Sequence, residues 1–72
     1  MAREYVDSSS IRWFDFDLVR GTLDIEYDSG GVYRYAGVTS SVCNQLRAAP
    51  SKGRFVNEVI KPQCLCTVIR RP

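Results

Sequence analysis

Three runs of alternating apolar and polar residues occupy the first half of the chain, and two runs with helical spacing follow. IRWFDF, TLDIEY and VYRYA, between Ile11 and Ala36, are rich in β-branched and aromatic residues and are separated by DLVRG and DSGG. This pattern predicts a three-stranded antiparallel meander. In the second turn, a three-residue loop Ser29-Gly30-Gly31, a type I turn closed by a left-handed glycine, pairs Asp28 with Val32. That register sets Tyr27 opposite Tyr33, Glu26 opposite Arg34 and Ile25 opposite Tyr35. Leu23, Ile25, Tyr27, Tyr33 and Tyr35 then share one face, while Asp24, Glu26, Val32 and Arg34 share the other; a slip of one residue would mix the two sets. In the first hairpin, pairing Phe16 with Leu23 and Phe14 with Ile25 gives all three strands one core face. It sets Trp13 opposite Glu26 and Asp15 opposite Asp24, and it needs a bulge between Ile11 and Phe14.

VTSSVCNQLRAAP predicts a short helix capped by Thr39 or Ser40, with Val42, Cys43 and Leu46 on one side and a stop at Pro50. SKGRFVNEVIKP predicts a second helix, capped by Ser51, turning Phe55, Val59 and Val56 inward and ended by Pro62. The apolar stripes of these helices have one partner, the sheet face that carries the tyrosines. The expected fold is α+β, a three-stranded meander followed by two short helices packed on one face. The tail PQCLCTVIRRP alternates Cys64, Cys66 and Val68 against Leu65, Thr67 and Ile69. It reads as an added strand of this sheet, as a strand for a partner's edge, or as a disordered terminus.

Seventy-two residues make one domain, near the lower limit for a single unstapled core. A composition 44% apolar and 25% charged is that of a globular domain and not of a disordered chain. MAREYVDSSS carries charges where a signal peptide needs an apolar run, and no apolar stretch approaches the roughly 20 residues of a membrane span. A cytoplasmic location is expected. Three cysteines and no histidine make neither a disulfide framework nor a usual zinc set, so reduced thiols are expected, with no metal and no cofactor.

The net charge of +2 hides a division. Residues 1–32 hold three basic and seven acidic residues, a net of −4; residues 33–72 hold seven basic residues and Glu58, a net of +6. The open sheet face carries Trp13, Asp15, Asp24, Glu26 and Arg34. Two aspartates directly opposed are mildly destabilising, and a tryptophan ringed by charge has the composition of an interface hot spot unless the tail or the N-terminal arm covers it. These five residues are the candidate protein-binding site, suited to a basic partner surface. Ser51, Lys52, Arg54, Lys61, Arg70 and Arg71 are the candidate RNA- or anion-binding set; for SKGR the plainer role is helix capping.

The string from Ser8 to Lys61 resembles the KTSC domain, a short module found at the C-terminus of some lysyl-tRNA synthetases and as free-standing bacterial and phage proteins. The resemblance is carried by Ser8-Ser9, Gly21-Thr22-Leu23, Ser29-Gly30-Gly31, Tyr33-Arg34-Tyr35, Val38 and the Ala49–Phe55 junction APSKGRF. Thr39, where the family commonly has proline, Cys43, where an aromatic is common, and the tail beyond Lys61 depart from it. The implied organisation is an arm over residues 1–7, the domain over 8–61 and a tail over 62–72. The resemblance implies a non-enzymatic module, with RNA binding suggested by the synthetase context.

Without a histidine or a base positioned on a thiol, enzymatic activity is not expected. The functional expectation is a monomeric regulator or adaptor that docks on a protein of the transcription or translation machinery, host RNA polymerase if the chain is phage-encoded. The alternative is an RNA-binding module, for tRNA or another structured RNA, that uses the second helix and the tail.

Overall fold

A computed structural model describes residues 3–72 of the chain. Its sheet has five antiparallel strands in sequential order: β1 Glu4–Tyr5, β2 Ile11–Asp17, β3 Thr22–Tyr27, β4 Val32–Ala36 and β5 Leu65–Arg70. The α+β architecture matches the expectation, but the strand count corrects it from three to five. Both terminal segments add a strand, β1 beside β2 and β5 beside β4.

The first hairpin has the register expected from its pattern. Trp13 lies opposite Glu26, Phe14 opposite Ile25, Asp15 opposite Asp24 and Phe16 opposite Leu23, with an irregularity between Ile11 and Trp13 that returns Ile11 to the core face. The second hairpin is displaced by two residues from the expected register. Ile25 faces Tyr33, Asp24 faces Arg34 and Glu26 faces Val32. The turn has the expected form one residue earlier. The Gly30 N–H donates to the Tyr27 carbonyl at 2.9 Å, the Tyr27 N–H donates to the Gly31 carbonyl at 2.9 Å, and Gly30, at φ 99°, is the left-handed glycine. Gly31 does not take that role; it is packed against the Tyr33 ring, where an added Cβ would approach Cε2 to 2.9 Å. A slip of two preserves side-chain parity, so inner and outer faces keep their members.

Helix α1, Ser40–Ala48, is capped by Thr39, whose hydroxyl accepts the Val42 N–H at 3.2 Å. Helix α2 begins as Lys52–Phe55, capped by the Ser51 hydroxyl on the Arg54 N–H. It widens to a π-turn over Val56–Ile60 and finishes as Lys61–Gln63. Pro62 does not stop the helix. In a regular helix its ring would clash with the carbonyl of Glu58; the wide turn, in which the Lys61 N–H reaches the Val56 carbonyl, lets the backbone pass one residue further. The Gln63 side-chain amide donates to the Val59 carbonyl at 2.8 Å.

The core is Ile11, Phe14, Leu23, Ile25, Tyr35, Val38, Cys43, Leu46, Val56 and Ile60. The inward stripe of α2 is therefore Val56 with Ile60; Phe55 and Val59 are only partly buried. Gly53 gives α2 its close approach to the start of β2, because a Cβ there would collide with the Ser10 hydroxyl. Helix α1 is tied to β1 by Arg47, which donates to both carboxylate oxygens of Glu4, with Nη2 at 2.6 Å from Oε2. This bond draws the Glu4 pKa below its ordinary value.

Candidate functional site

The outer face of the sheet is less exposed and less acidic than its composition suggested. Trp13 is only 7% exposed. Its ring is covered by the Arg3 guanidinium, 4.3 Å from the ring centroid, and flanked by β1, where Tyr5 is its ladder partner. The N-terminal arm covers the tryptophan, so Trp13 does not stand as an exposed hot spot. The acids are also neutralised. Arg34 makes a bidentate pair with Asp24, at 2.7 and 2.9 Å, and does not face Glu26. Glu26 is paired with Arg70 from β5, which also donates to the Gly30 carbonyl.

Only Asp15 remains in conflict, opposite Asp24 with a buried oxygen that has no hydrogen-bond partner. Asp15→Asn is expected to raise the thermal midpoint, by roughly 0.5 kcal/mol in unfolding free energy. The substitution removes one of two facing negative charges and supplies a donor. Thermal melts at low and high salt check this; a lower midpoint in low salt would show that the negative charge at Asp15 is itself stabilising.

The basic set is dispersed. The Lys52 ammonium caps α1, donating to the Arg47 and Ala49 carbonyls at 3.0 and 2.6 Å, and Arg54 is paired with Glu58 at 2.9 Å. Ser51 is occupied as a helix cap. Arg70 is on the outer face with Glu26, and Arg71 follows β5 at the end of the sheet. Lys61 alone of the six lines a cleft beside the tyrosines.

That cleft, about 780 Å³, opens on the inner face. The helices pack over β2, β3 and Tyr35 of β4 and leave β5 uncovered, so its inward-pointing Cys66 and Val68 remain exposed. Tyr27, Tyr33 and Tyr35 form its floor, Cys66 one wall, and Ser9, Ser10, Asp28, Ser29 and Lys61 the rest. Tyr27 and Tyr33 pack edge to face with centroids 5.5 Å apart, and the Lys61 ammonium sits 5.5 Å from the Tyr27 centroid. The Tyr27 and Tyr35 hydroxyls bond each other at 2.8 Å. Burial raises both phenol pKa values, so both groups are neutral O–H donors at physiological pH. Tyr35 is a core residue whose ring also borders the cleft, on the face that the alternation turned toward the helices; Tyr33 is half-buried and also belongs to the cleft. Ser9, Ser10, Tyr27 and Cys66 were outside the expected sites. The usable signal was the alternating tail, since a strand added beyond β4 extends the tyrosine face past the reach of two short helices.

No group of three or more potential metal ligands occurs among the described residues, and no helix there is long and apolar enough to cross a membrane. Burial raises the thiol pKa of Cys43 and of Cys64.

A five-stranded meander with two helices on one face and an open tyrosine cleft defines a small α+β module. The KTSC domain model matches residues 7–63, and the chain belongs to that family. A crystal structure of a KTSC domain protein from Yersinia pestis superimposes with a TM-score of 0.89 at 37% identity, covering 94% of this chain and 96% of that one. An uncharacterised protein of Stutzerimonas stutzeri strain A1501 is 41% identical over 63 residues, 88% of this chain and 89% of that protein. A lysine–tRNA ligase of Nostoc punctiforme is 46% identical over 55 residues, which are 76% of this chain and 10% of the ligase.

Proposed function

We propose that the chain is a non-catalytic adaptor that docks on a protein of the transcription or translation machinery through the free edge of β5. The observation that carries this reading is an unguarded apolar edge. β5 is the last strand of the sheet, and its Leu65, Val68 and Ile69 are 81%, 42% and 48% exposed. No charged residue stands between Gln63 and Arg70. Soluble proteins usually shield such edges with charge or proline, and an open one is a template for a partner's strand. The extra residue Ile69, where the β4–β5 register shifts, confines regular pairing to the segment before it. The placement in gene expression draws on the lysine–tRNA ligases, in which a similar segment makes up a tenth of the protein.

The reading predicts that a tagged chain captures a discrete protein from host lysate with or without nuclease. Leu65→Lys combined with Ile69→Lys abolishes capture while leaving the fold intact, because both side chains are exposed. Lys52→Ala with Arg54→Ala leaves capture unchanged. Loss of the captured protein after nuclease treatment, or capture unaffected by the two lysines on β5, would overturn the reading.

A further inference from the structure

The tyrosine cleft has a chemistry that edge docking does not use. We propose that it binds a nucleobase together with its phosphate, whether in a free nucleotide or in an unpaired residue of RNA. The volume, about 780 Å³, falls within the range of sites that enclose a small ligand. The aromatic component is the edge-to-face pair of Tyr27 and Tyr33, both half-buried and both lining the cleft. Tyrosines so placed provide surfaces for a planar base, whose π-face suits stacking whatever its sequence identity.

The polar component is rich in donors. Tyr27 and Tyr35 carry two hydroxyl hydrogens and spend one on each other, so one remains for an acceptor on the ligand. Ser9, Ser10 and Ser29 add hydroxyls at the rim. Lys61 is the one cation lining the cleft, and it takes part in no ion pair among the described residues. The single carboxylate on the lining, Asp28, lies 3.6 Å from Arg12. A purely apolar side chain from a protein would cover this lysine and these hydroxyls without satisfying them, which costs binding energy. A base with a phosphate uses both components, the rings for the base and Lys61 for the charge.

The test is an NMR titration of the full chain with AMP, UMP, a ten-residue oligoadenylate, inorganic phosphate and an oligoglutamate peptide. Expected are saturable shifts at Ser10, Tyr27, Tyr33, Lys61 and Cys66 with the nucleotides, and none at the Trp13 indole on the opposite face. Lys61→Ala is expected to weaken binding about tenfold, with Lys61→Arg restoring it. Tyr33→Leu, which keeps apolar volume, is expected to weaken it about tenfold. Tighter binding of the oligonucleotide than of AMP assigns the site to RNA, and equal affinities assign it to free nucleotides. The proposal falls if nucleotides at millimolar concentration leave the cleft resonances of the folded chain unmoved, or if the shifts appear at Lys52, Arg54 and Arg71 instead. It also falls if both cleft variants bind as the parent does, or if oligoglutamate alone saturates the cleft. The Leu65→Lys, Ile69→Lys chain should keep the titration, which separates this proposal from edge docking.

Discussion

Tyr35→Ala is expected to lower the unfolding free energy by roughly 4 kcal/mol, as for other large buried aromatics cut to alanine. A chain of this length typically has about 4–11 kcal/mol in total, so the variant should be largely unfolded or close to it. Tyr35 is among the largest fully buried side chains, and it sits in the same cluster as Leu23, Ile25, Ile60 and Leu46. Tyr35→Phe should cost only about 1 kcal/mol, because it deletes one hydroxyl bond at a rim that water can reach. Urea titrations of the two variants separate ring from hydroxyl; equal losses would mean that the Tyr27–Tyr35 bond, not ring burial, dominates.

The same pair sets an alkaline limit. Burial raises both phenol pKa values in the folded state, and the mutual hydrogen bond raises that of Tyr35 further. In the unfolded chain both ionise near pH 10. Their contribution to stability is therefore complete below about pH 10 and is lost as the pH rises toward the folded-state values. Tyr35→Phe should flatten this alkaline decline.

Trp13→Ala is the second large effect, an expected loss of roughly 3 kcal/mol. At 7% exposure, with the Arg3 guanidinium over its ring and Tyr5 as its ladder partner, Trp13 helps hold the N-terminal arm and β1 against β2. The emission of the parent protein should be blue-shifted and poorly quenched by iodide, and urea unfolding should move both toward the values of a solvated indole. Arg3→Ala should cost no more than about 1 kcal/mol, because a cation–π contact at the surface is weak and the strand pairing persists. If Trp13→Ala instead left stability intact while abolishing partner capture, the outer face would return as the docking site.

These two residues show how far the pattern along the chain could be read. The inner and outer sets of β2, β3 and β4 were legible because parity is a local property, and any even slip preserves it. The first hairpin was legible to the residue, since the two pairs Phe16–Leu23 and Phe14–Ile25 admit one in-phase alignment and demand the bulge at Ile11. The second was not. DSGG holds two adjacent glycines, each able to take the left-handed position, and the local pattern does not choose between them; the fold uses Gly30 and packs Gly31 against Tyr33. That shift of two moved Arg34 from Glu26 to Asp24 and left Glu26 to an arginine 44 residues along the chain. The acidic face predicted from the pattern thereby became a set of internal ion pairs.

By itself the sequence determined the α+β class, the strand faces, the Ser51 cap of the second helix and the family. Each depends on neighbours a few residues apart, through turn chemistry, side-chain parity or a hydroxyl within reach of a backbone N–H. The tertiary structure alone decided that the tail becomes β5, that the arm covers Trp13, and that Lys61 stands over the tyrosines while Lys52 and Arg54 are spent on nearby groups and Arg70 on Glu26 across the sheet. Whether a side chain is covered or free depends on segments distant in sequence arriving beside it, and no periodicity records that.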